Sequence, residues 1–186
     1  MQKSVLWDGL QNDTDEHCAV NYLADAIMVR SEIEGWVQGM PVYADYTIKL
    51  GLSWNVQEFE INFHLRDTQH SYHLFCNEHG EWSDLSGKSL PEFSGCTFID
   101  ISLSPFTNSL PVNWLKLSDT DAAAFDLVYI DIIGNAIRKE NQHYTRLDNT
   151  TYRFENSDGS FTADIQVDND GFVTHYPGLF NMIQPQ

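Results

Sequence analysis

The sequence predicts a mainly β fold: one domain over residues 1–186, built on a largely antiparallel sheet curled or closed enough to bury one continuous face. Three observations carry this expectation. Apolar and polar residues alternate with a period of two through most of the chain. Gly, Pro, Asp and Asn punctuate the alternating runs where turns are needed. A 3.6-residue period is not sustained for more than about two turns in the C-terminal third.

In chain order, residues 18–23, 26–33 and 42–50 read as strands, with Gly39 and Pro41 forming a turn between the last two. The clearest run is VQEFEINFHL, in which Phe59, Ile61, Phe63 and Leu65 alternate with Glu58, Glu60, Asn62 and His64. A turn at Asp67 and Thr68 leads into HSYHLFC, which alternates again and has apolar groups on both sides. A short strand is expected to begin at Gly80 to Trp82, then an ordered loop over 83–95, then a strand over 97–103. Asp119 or Thr120 is expected to cap one helical turn through the three alanines before the β-branched run 128–133 becomes a strand. The last third repeats a hairpin grammar: 143–147, 151–155, the SDG turn, 161–167, the DNDG turn and 172–176, with the DG pairs read as type I′ turns. About ten or more short strands follow from this count.

Charge narrows the function classes. Ten Lys and Arg stand against twenty-seven Asp and Glu, a formal charge of −17 at pH 7. Nucleic acid is disfavoured because a phosphate backbone is held by clustered cations, and anionic membranes repel the chain for the same reason. Cys18, Cys76 and Cys96 are far apart and form no C-x-x-C pair, so neither a disulfide framework nor a structural zinc site is indicated, and a reducing, cytoplasmic setting is expected. The N-terminus has no apolar leader core, and no window is apolar enough to span a bilayer. Eleven Phe, eight Tyr and five Trp supply the buriable surface that an acidic disordered chain lacks.

Motifs for chemistry are sparse. The seven histidines make no H-E-x-x-H pattern, and His70 and His73 are expected on opposite faces of one strand, so no metal site is predicted. The acidic turn Asp168, Asn169, Asp170, Gly171 starts like an EF-hand loop but has no glutamate at the twelfth position. Neither G-x-S-x-G nor a phosphate-cradling glycine loop is present, and no catalytic residue or cofactor is predicted. The uncharged stretch SLSPFTNSLPVNWLKL stands out instead. Pro105 and Pro111 bias it toward a stiff, extended corner. Its functional reading is the lip or floor of an apolar pocket, with Phe106 and Trp114 as walls and Asn108 as an orienting polar group.

That stretch is similar to the SPFTNTLPI-type signature of the bacterial glycolipid-binding family, formerly a domain of unknown function. Trp7, Gly35, Tyr46, Trp54, the EW of Glu81 and Trp82, then Gly95, Cys96 and Asp100, the QHY segment, TYRFE and DNDGFVTHYPGLF follow in the family's order. The resemblance implies a single spiral, mostly antiparallel β-roll enclosing a core or cavity, distantly like the periplasmic lipoprotein carriers that wrap a curved sheet around an acyl chain. It puts weight on Trp54, Trp82, Asp100, Pro105, Phe106, Thr107, Asn108, Leu110, Pro111, Tyr144, Asp168, Gly171, Tyr176 and Pro177. Where family members carry arginines, this chain has Asn55, Gln57, Asn113 and Trp114, which points to a neutral ligand or to a site that is not shared with the family.

The expected function is therefore non-catalytic binding of an amphiphilic lipid or glycolipid, with Trp54, Trp82, Asp100, Phe106, Thr107, Asn108, Trp114 and Tyr144 as ligand-binding residues. The alternatives are a small enzyme acting on a sugar derivative or acidic metabolite through Asp100 with His143 or Tyr144, and an interaction module such as a homodimer.

Overall fold

The computed structural model describes residues 1–65 and 68–183, and within them a single 14-stranded sheet accounts for nearly all regular structure. Strands β1 (Gln2–Gly9), β2 (Asp13–Tyr22), β3 (Ile27–Val37), β4 (Met40–Leu50), β5 (Val56–Leu65), β6 (Thr68–Cys76) and β7 (Trp82–Asp84) form one antiparallel meander. After β8 (Phe98–Ile101) and a short helix α1 (Ser109–Leu115), strands β9 (Ala122–Asp131), β10 (Ala136–Arg146), β11 (Thr151–Asn156), β12 (Thr162–Val167), β13 (Val173–Tyr176) and β14 (Phe180–Ile183) form a second. The meanders join where β14 pairs with β1, Trp7 opposite Met182. Strand β8 pairs with β9 in parallel, because the chain crosses through α1 between them.

Period-two patterning explains the curl. In β3, Val29, Ser31 and Ile33 point inward while Arg30, Glu32 and Glu34 face solvent. The β8–β9 end breaks this alternation: Phe98 and Leu127 on one face and Ile99, Ile101, Val128 and Ile130 on the other are all at most 1% exposed. The second of these faces shares a core with Val29, Ile33, Ile48, Phe59 and Ile61. The sheet is thus a scroll whose β8–β9 end is tucked beneath β3–β6, as the spiral roll implied by the resemblance requires. Tyr72 Oη donates to Asn135 at 3.3 Å and Trp82 Nε1 donates to the Cys96 carbonyl at 3.1 Å across the overlap. Inside the inner whorl, Val112 and Leu115 of α1 pack with Tyr144, Phe154, Ile165, Val173 and Tyr176.

Several local expectations are corrected. The SPFTNSLPV stretch is not an extended corner: Phe106–Asn108 form a 3-10 turn that runs directly into α1. Pro105 adopts φ −71°, and Pro111 falls in the first helical turn, where its missing N–H breaks no intrahelical bond. The helix stops at Lys116, which is left-handed at φ 45°. The alanines form strand throughout, not a helical turn, because Ala123 pairs with Tyr144 and ten cross-strand pairs with β10 outweigh their helical preference. The DG turns are not type I′. Only Gly159 and Gly171 have positive φ there, with a type I turn and a left-handed glycine closing each hairpin. By contrast Gln38 and Gly39 both have positive φ, the type I′ arrangement, between β3 and β4. Strands β1 and β14 were not anticipated, and the predicted turn residue Asp67 lies outside the described residues. Cys18, Cys76 and Cys96 are free thiols.

Candidate functional site

The mouth of the inner whorl holds a cavity of about 330 Å³. One wall is polar and comes from register. Asp100 pairs with Tyr129 and Tyr129 with Arg138, so these three and Glu140 and Gln142 project from a single face of β8, β9 and β10. The facing wall is largely aromatic, with Phe154 from β11, Phe161, Tyr176 from β13, Leu179 and Phe180 from β14. Ser102, Ser104 and Asn108 reach in from the segment leading to α1.

Asp100 organises the polar wall. Its Oδ1 accepts from Thr107 Oγ1 at 3.0 Å and its Oδ2 from Gln142 Nε2 at 2.7 Å. Burial raises its carboxyl above the usual range; Gln142 and Thr107 partly offset that, and nearby Glu140 raises it further. Around it stand uncommitted polar groups. The Tyr144 hydroxyl is buried with no hydrogen-bond partner among the described residues, and its neighbour Asn108 falls short of bonding geometry. Burial also pushes the Tyr129 and Tyr176 phenols above their usual values. An unpaired buried polar group costs stability, so a lone hydroxyl directly behind this opening marks a point where a further hydrogen bond would be favourable.

A second polar island lies behind Ser104. Glu16 on β2 is buried, and its Oε1 accepts from Ser31 Oγ at 2.7 Å, from Ser104 Oγ at 2.9 Å and from Tyr46 Oη. Its Oε2 has no partner among the described residues. Burial pushes this carboxyl up to about 7, against the opposing effect of the three hydroxyls.

The expected ligand residues separate into groups. Asp100 and Asn108 line the cavity, and Thr107 and Tyr144 sit directly behind it. Phe106 is fully buried against Phe172, with ring centroids 6.1 Å apart. Trp54 meets the same Phe172 and Tyr22 at the other side of the core. Trp82 lines a separate open cleft of about 560 Å³ with Phe75, Cys76 and Leu90. Trp114 is 42% exposed and rests edge-on against Phe98. These four do not share the cavity, and Phe106 and Trp114 are not its walls. Sequence reasoning missed Tyr129, Arg138, Glu140, Gln142 and Asn156. The usable signal was IRKENQHY, where Arg138, Glu140 and Gln142 occupy the alternate positions that reach Tyr144.

Of the two candidate acid–base partners of Asp100, Tyr144 sits behind the same cavity and His143 is turned away. His143 projects from the opposite face of β10 to Gln142 and Tyr144, and its Nδ1 lies 3.2 Å from Glu155. Asp168 is also structural: its Oδ1 accepts from the amides of Asp170 and Phe172, and Lys3 Nζ reaches Asp168 and Asp170, each at 2.7 Å. Gly171 is required there, since φ is +77° and a Cβ would lie 2.4 Å from Asn113 Nδ2. Among the described residues, no group of three or more His, Cys, Asp or Glu is gathered for a metal ion, and no helix is long and apolar enough to cross a membrane.

Comparison with known proteins agrees with this architecture. The crystal structure of a DUF1089 family protein from Pseudomonas aeruginosa is 34% identical, covering 89% of this chain and 91% of its own, with a TM-score of 0.81. No curated protein matches the sequence. Residues 4–182 match the family described as "Putative glycolipid-binding", so the scroll, its helical plug and the cavity between them are those of a chain that belongs to this glycolipid-binding family.

Proposed function

We propose that the protein binds, without catalysis, an amphiphile whose uncharged, polyhydroxylated head occupies the mouth of the inner whorl. The observation that carries this reading is the two-sided lining: hydrogen-bonding groups on β8–β10 face an aromatic wall on β11–β14. A sugar ring has the matching character, hydroxyls around its edge and C–H groups on its faces. At about 330 Å³ the cavity lies at the small end of ligand pockets, which run from about 300 to 1,000 Å³. That size suits a single ring and leaves an attached chain to run outward past Phe161 and Leu179, both half-buried at the rim. The family's description supports the same class of ligand.

An NMR titration with methyl and octyl glycosides below micelle-forming concentration tests the reading. Chemical-shift changes are expected at Asn108, Gln142 and Asn156, with tighter binding of the octyl form. Absence of any site-specific change across gluco, galacto and manno series refutes it.

A further inference from the structure

Among the described residues lining this cavity Arg138 is the one cation, and each nitrogen of its guanidinium already faces a carboxylate. Nε and Nη2 contact Glu140 Oε1 at 2.8 and 2.7 Å, and Nη1 lies 3.4 Å from Asp131 Oδ2. Its Cζ lies over the Tyr129 ring, 4.5 Å from the centroid, which holds the fork against the polar wall. Two carboxylates therefore hold one guanidinium, and Asp100 adds a further acidic group on the same face. An anionic head entering here competes with Glu140 and Asp131 for Arg138 while approaching the carboxylates themselves. An uncharged hydroxyl meets no such conflict, because Glu140 and Asp100 accept from it directly.

We propose that the Asp131–Arg138–Glu140 clamp determines head-group selectivity, admitting neutral glycosides and rejecting acidic ones, with Glu140 as the specificity-determining residue. This rests on the cavity being a glycoside site. Neutralising Glu140 frees the Arg138 fork to pair bidentately with an incoming carboxylate, the geometry that guanidinium favours.

The test compares methyl glycosides with the corresponding methyl uronides of the gluco, galacto and manno series, using wild type, E140Q, D131N and E140Q/R138Q. The wild type is expected to bind a neutral glycoside at least about tenfold more tightly than its uronide. In E140Q the uronide-to-glycoside affinity ratio rises about tenfold or more, and the R138Q change in that background removes the gain. D131N, which releases only the longer contact, shifts the ratio in the same direction by less, and serves if E140Q does not fold. An unchanged ratio in folded E140Q or D131N overturns the clamp while leaving the glycoside site standing. Equal wild-type affinity for both ligand forms does the same. If no neutral glycoside binds the wild type, the site reading fails and the clamp falls with it.

Discussion

Replacing Glu16 with Gln should change how stability depends on pH. The Glu16 carboxyl is raised from 4.5 to about 7, chiefly by burial, and the titratable groups coupled to it among the described residues are Cys18 and Tyr46. An acid with a raised folded-state value binds its proton more tightly folded than unfolded. Its stabilising contribution is therefore complete below the unfolded value and is lost as pH rises toward 7. At about 1.4 kcal/mol per unit, the loss across that window is about 3 kcal/mol. Gln cannot ionise, yet its carbonyl oxygen can still accept from Ser31, Ser104 and Tyr46. Any cost of its unpaired amide is constant with pH. Urea unfolding of both proteins at pH 4.5, 6, 7 and 8 isolates the effect, since the contributions of the other carboxylates cancel in the difference. The variant should gain about 3 kcal/mol on the wild type between pH 4.5 and 8, most of it below pH 7. Parallel curves would show that Glu16 stays ionised in the fold, and would refute the argument from burial.

Two further substitutions probe the site and its frame. Tyr144→Phe removes a buried hydroxyl that has no partner among the described residues and keeps the ring tilted against Phe125 and edge-on to Phe154; thermal unfolding should show a gain of up to about 1 kcal/mol. A loss above about 1 kcal/mol would mean that the hydroxyl is hydrogen-bonded, through water or Asn108. Gly171→Ala forces a left-handed alanine against Asn113 and should cost about 2 kcal/mol or more by denaturant midpoint, with Asn113→Ala recovering only the steric share.

Most of the sheet could be read from the chain because one face of each strand is buried and the other wet, which writes the pleat into the sequence. Where burial is two-sided the signal fades: the β8–β9 end reads as plain apolar runs, so its place inside the scroll was not visible. The plug was hidden for another reason. Seven residues containing a proline show no helical period, and α1 is held by tertiary contacts of Leu110 and Val112 rather than by a side-chain cap. The cavity was least accessible of all, since Asp100, Arg138, Phe154 and Tyr176 meet only through strand register and the turn of the whorl. Asn108 was reached from the uncharged stretch framed by Pro105 and Pro111, Asp100 by family resemblance, and Arg138 and Glu140 by neither route.

The scroll also bears on how the protein avoids sticking to itself. A sheet of this width exposes only two edges, and exposed edges recruit foreign strands. Here one edge, β8, is rolled inside, and Thr107 Oγ1 accepts the Ile101 amide that a neighbouring strand would otherwise have used. The other, β7, is three residues long and is bridged by its own chain through Ser83 and Ser89. The segment that reaches into the cavity thus also caps the sheet edge, so substitutions at Thr107 are expected to lower solubility.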